Sequence, residues 1–115
     1  MAIETGRNIV NGVILGVSLA PLFTVGTNLL RIKIDSISFT NFGSANAKLT
    51  VQIVSSGGTP GNGKILIKEK LIRVNETYTA PEIVGQGINV GGALQALSDT
   101  ANSINCTATG TEYST

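Results

Sequence analysis

The chain has no histidine, no tryptophan and a single cysteine among its 115 residues. Without histidine it lacks the commonest general base, metal ligand and member of nucleophilic triads. One cysteine excludes an internal disulfide and any multi-cysteine metal cluster, and suits synthesis in a reducing cytoplasm. Charge is scarce in both signs: eight Lys and Arg against seven Asp and Glu, 13% of the chain, about half the ordinary share. The net charge of +1 gives nucleic acid or anionic lipid no bulk driving force for binding. The only aromatic residues are Phe23, Phe39, Phe42, Tyr78 and Tyr113, a poor supply for stacking bases or sugar rings.

Long uninterrupted apolar runs are missing too. The stretch Ile9 to Val25 is broken by Asn11, Gly12, Gly16, Ser18, Pro21 and Thr24. It is too short for a membrane span, and the single Arg7 before it makes a poor signal peptide. On this reading no membrane association is expected. The sequons at Asn75 and Asn105 then carry no meaning, because glycosylation needs a secretory route.

What is present is Gly, Ser, Thr and Asn in quantity, with β-branched apolar residues at two-residue spacing. Leu30, Ile32 and Ile34 alternate with Arg31, Lys33 and Asp35; Ile37 and Phe39 continue on the opposite parity. One change of parity within a strand predicts a β-bulge near Asp35–Ser36. The same alternation marks Leu49, Val51, Ile53 and again Ile104, Cys106, Ala108. Turn-forming clusters separate these runs at Asn41–Ser44, Ser55–Gly63, Val74–Glu76 and Asp99–Ser103. The expected fold is all-β, an antiparallel two-sheet sandwich, Ig-like or jelly-roll-like, of about seven strands. The strands are expected near residues 13–25, 29–40, 47–55, 64–73, 77–80, 92–98 and 103–113, with a helical alternative at 64–73. Residues 1–12 read as an extended N-terminal arm and 13–115 as one sandwich domain, with a short helical turn at Pro81–Val84.

Motifs that would carry chemistry are incomplete. Gly58-Thr59-Pro60-Gly61-Asn62-Gly63-Lys64 resembles a phosphate-binding loop until Ile65 stands where Ser or Thr should hold magnesium. An apolar β-branched run follows in place of a helix. Gly85 to Gly91 misses the dinucleotide-binding spacing. The carboxylates Glu4, Asp35, Glu69, Glu76, Glu82, Asp99 and Glu112 are scattered, which leaves a hydrolase only if folding pairs two of them. Lys64, Lys68, Lys70 and Arg73, with Arg31 and Lys33, read as solvated strand edges. Cys106 reads as a core residue. Tyr78, just before Pro81, is expected to bury its ring and pass its hydroxyl to a backbone partner. No catalytic, cofactor-binding or metal-binding residue is assigned, and the chain reads as no enzyme.

From Thr50 onward the chain carries Val54-Ser55-Ser56-Gly57-Gly58, then Glu76-Thr77-Tyr78-Thr79-Ala80-Pro81-Glu82, Gly85-Gln86, Leu94-Gln95-Ala96-Leu97-Ser98 and Gly110-Thr111-Glu112. In this series it resembles a group of short structural proteins of tailed bacteriophages and prophages. It departs from the group in the basic segment Lys64 to Arg73 and at Gly91-Gly92. The resemblance implies a virion component, first a capsid decoration or cement protein bound to the major capsid protein, second a tail, baseplate or fibre-base component. It implies a homo-oligomer, with a trimer preferred, made in the host bacterial cytoplasm. A carbohydrate-binding module, with rings clustered near Tyr78 or Tyr113, or a small hydrolase stands as the contrasting reading.

Overall fold

The computed structural model describes residues 3–58 and 63–114. Their strands are β1 (Ile3–Ile14), β2 (Ala20–Thr24), β3 (Arg31–Asn41), β4 (Ala47–Val54), β5 (Lys64–Ile72), β6 (Thr77–Tyr78), β7 (Gly87–Asn89), β8 (Ala93–Ser98) and β9 (Ile104–Ser114). They form two antiparallel sheets. One has the order β1-β9-β3-β6, with β7 also on β3; the other has the order β2-β8-β4-β5.

The registers are nested. Ile3 faces Ser114, Ala20 faces Ala96, Arg31 faces Asn89, Thr40 faces Thr77 and Ala47 faces Ile72. The chain is thus one long antiparallel ribbon, paired from its ends inward to the β4–β5 connection. Rolling the ribbon places successive segments in opposite sheets and brings β3 against β9 and β4 against β8. Of the two windings expected, this is the jelly roll and not the immunoglobulin arrangement.

The core lies between the sheets. Ile34, Phe39, Leu49, Val51, Leu94 and Ile104 are wholly buried, each contributing roughly 1.5–3 kcal/mol through removal of its side chain from water. The β3 register shifts between Ile34 and Ser36, where the sequence changes parity. Asp35 is the extra residue. It lets Ile32 and Ile34 before it and Ile37 and Phe39 after it all point inward. Strand β1 gains a residue at Ile9 against the adjoining step of β9, between Ala108 and Thr109, so both bulges lie close to Gly110. Gly110 is required there, because a Cβ would lie 2.7 Å from the Lys33 carbonyl oxygen.

Several expectations are corrected. Residues 3–14 are not a free arm but the strand β1, hydrogen-bonded along β9; Met1 and Ala2 lie outside the described residues. The strand expected at 13–25 is two pieces in different sheets, separated by the turn around Gly16. Pro81–Val84 is a run of turns and not a helix: Ile83 N–H donates to the Ala80 carbonyl and Gln86 N–H to that of Ile83. Ala80 (φ 37°) and Gly85 (φ 90°) bracket it, so too few residues remain to nucleate a helix. Segment 64–72 is strand. Its helical spacing arises from a bulge at Lys68–Glu69, where Glu69 sits at φ 53°.

Candidate functional site

Folding places most of the carboxylates at local structural tasks. Glu112 pairs with Arg7 at 2.8 Å. Asp35 accepts the Thr111 hydroxyl at 2.6 Å, Asp99 accepts Lys48 N–H at 2.7 Å, and Glu76 accepts Arg73 N–H at 2.9 Å. Among the described residues no three Asp, Glu or Cys side chains come together as a metal site. Burial pushes the Cys106 thiol up to about 12, leaving it a protonated core group with little nucleophilic character.

Tyr78 departs from expectation in its partner. Its hydroxyl donates to the Glu82 carboxylate at 2.6 and 2.7 Å, not to backbone. That hydrogen bond, with lesser help from desolvation and the Glu82 charge, raises the phenol to about 12. The Lys70 ammonium sits 4.7 Å from the Tyr78 ring centre, and the Arg31 guanidinium 4.4 Å from that of Tyr113. Each ring has a cation on its face, and the two stand on strands either side of β3, Tyr78 on β6 and Tyr113 on β9, in different rows. They do not form the shared stacking platform a sugar module would use.

The basic residues divide as well. Arg31 and Lys33 lie on β3, while Lys64, Lys68 and Lys70 lie on β5 in the other sheet. Of the phosphate-loop candidate, residues 59–62 lie outside the described residues; Lys64 opens a strand and its ammonium donates to Gln86 Oε1 at 3.2 Å. No helix N-terminus follows to receive a phosphate.

What folding does assemble is a hydroxyl-bearing sheet face. Cys106, Ala108 and Gly110 point inward from β9, so Thr107, Thr109 and Thr111 point out. Ser36 and Ser38 stand opposite them on β3, with Ser36 and Thr109 hydroxyls 2.6 Å apart and Thr40 and Thr77 hydroxyls 2.9 Å apart. A groove of about 530 Å³ runs along this face beneath the Thr79–Val84 corner. A second, of about 390 Å³, lies at the end of the sandwich between Ser56, Lys64 and Asn89. The first offers neutral donors and acceptors beside the apolar Pro81 and Val84 of the corner. Such a surface can recognise a partner by hydrogen bonding and shape but supplies no acid–base pair.

No family model matches the chain, and no curated protein matches it. In fold the chain is similar to a viral protein. The comparison is with a chain of the infectious bursal disease virus VP2 subviral particle, at a TM-score of 0.52 and 12% sequence identity. The match covers 97% of this chain and 32% of that one, so the chain spans about a third of the VP2 length. At this identity the likeness is one of winding, and it extends over nearly every strand of the ribbon.

Sequence reasoning missed β1 because residues 3–8 are exposed on both faces. A strand that buries neither face leaves no alternation to read.

Proposed function

We propose that this chain is a structural component of a virus particle that acts by docking against other virion subunits and carries out no catalysis. The observation that carries the reading is the jelly-roll winding shared with VP2 over 97% of the chain. The neutral, hydroxyl-bearing sheet face supports it, since a surface with few charges remains compatible with being covered by neighbours. The motif series from Val54 to Glu112 refines the proposal to a capsid decoration protein of a tailed bacteriophage. Its partner would then be the major capsid protein and its place the particle exterior.

Quantitative mass spectrometry of purified particles tests this. A copy number comparable to that of the major capsid protein supports decoration. A handful of copies per particle moves the protein to the tail, and absence from the particle overturns the proposal.

A further inference from the structure

Three of the sheet edges are guarded against adding another strand. Strand β2 has five residues, with Pro21 and a register break within it. Strand β5 carries Lys64, Lys68 and Lys70 and is bulged. The β6/β7 edge is made of pieces two and three residues long. Short length, proline, lysine and bulges are the usual devices that stop edge-to-edge association. The fourth edge, β1, has none of them between Ile3 and Asn8. There it runs six residues in unbroken register with β9, and its one cation, Arg7, is held by Glu112.

The direction of the free backbone groups follows from register. The Ile34 N–H and carbonyl are both used by Gln86 and Gly85 on the β7 side, so Arg31 and Lys33 are the residues that bond to β9. Their β9 partners are Tyr113 and Thr111, which leaves Gly110 and Glu112 to bond to Arg7 and Thr5 on β1. The backbone groups of Glu4, Gly6 and Asn8 therefore point away from the sheet.

We propose that a second copy of this chain docks antiparallel on this edge about a two-fold axis at Gly6, joining two five-stranded sheets into one. A two-fold axis perpendicular to the sheet keeps side-chain faces in register only when residues of like parity meet. Centring on Gly6 satisfies that condition and is self-complementary. Glu4 faces Asn8 of the second copy, so a carboxylate meets an amide donor on one face. Thr5 faces Arg7 of the second copy on the other face. About six main-chain hydrogen bonds form, two for each of three narrow pairs. Glycine at the axis leaves no side chains to collide. The argument rests on sheet geometry and is independent of the virion reading.

Sedimentation of the purified full chain tests it. The wild type is expected to be a reversible dimer. Gly6→Pro removes the N–H at the axis, and Gly6→Lys opposes two ammonium groups there; a Cβ at Gly6 meets nothing within 4 Å, so the lysine variant should fold normally. Each is expected to weaken association by about tenfold or more, with unchanged circular dichroism. Gly6→Cys should give a dimer with a short thiol cross-linker, since Cys106 is buried and cannot react. A monomeric wild type at all concentrations, a trimer, or a dimer indifferent to both Gly6→Pro and Gly6→Lys would overturn the inference. None of these outcomes bears on particle occupancy, so the two proposals fail separately.

Discussion

Gln52 on β4 lies directly opposite Gln95 on β8, and each buries one polar atom without a hydrogen-bond partner, Nε2 of the first and Oε1 of the second. Neighbouring Val51, Ile53, Leu94 and Ala96 face the core, so the two amides lie on the opposite face of the sheet. Burying an amide atom unpaired costs about 1–3 kcal/mol. Replacing both side chains with methionine keeps their length and removes the unpaired atoms. The double variant should melt a few degrees above wild type in a calorimetric scan; a marked loss of stability would show that the amides are paired in solution.

Asn41 presents the contrasting case. It is wholly buried, its Nδ2 donates to the Ala45 and Ile72 carbonyls at 2.9 Å each, and its Oδ1 accepts Gly43 N–H at 2.9 Å. One side chain thus ties the end of β3 to the turn after it and to β5 in the other sheet. Asn41→Leu strands two carbonyls and an amide, and should cost about 2–4 kcal/mol in urea unfolding.

Gly110 lies at the step where β3 bulges against β9, one residue from the step where β1 does. Gly110→Ala sets a methyl against the Lys33 carbonyl oxygen and the Ile9 side chain, 2.7 and 2.9 Å away. The expected loss is about 1–3 kcal/mol, with Gly6→Ala, where space is open, as the near-neutral control in the same assay.

Alkaline stability follows from Tyr78 and Cys106. The fold raises the phenol from 10.0 and the thiol from 9.0, each to about 12. Both protons are held more tightly folded than unfolded, so this contribution is complete below about pH 9 and is lost as pH rises toward 12. Denaturation midpoints should be insensitive to these groups at neutral pH and decline above pH 9. In Glu82→Gln the phenol's ultraviolet titration should move down toward its ordinary value, because the carboxylate that holds its proton is gone.

Much of the fold was readable where one face of a strand is buried and the other wet. Ile34 and Ile37 disclosed the bulge at Asp35, since only an extra residue returns both to the core. The lysines of β5 and the inward Cys106 were read correctly for the same reason. The helical reading of Pro81–Val84 failed because proline and glutamate signal a helix start without ensuring enough residues to continue one. The Tyr78 hydroxyl was expected to find backbone, but its partner Glu82 depends on how the corner after it turns, which local residue types do not specify.

The sequence by itself determined which residues face inward and where the chain must turn, because the period of two and the glycine, asparagine and proline clusters act over a few neighbours. It also determined the chemical poverty of the surface, since no fold can supply histidine that is absent. Only the tertiary structure decided that the ribbon rolls as a jelly roll, that residues 3–14 pair with 105–114, and which edge is left bare. Those pairings join residues at opposite ends of the chain, and a strand exposed on both faces records nothing in its own sequence about the neighbour it will find.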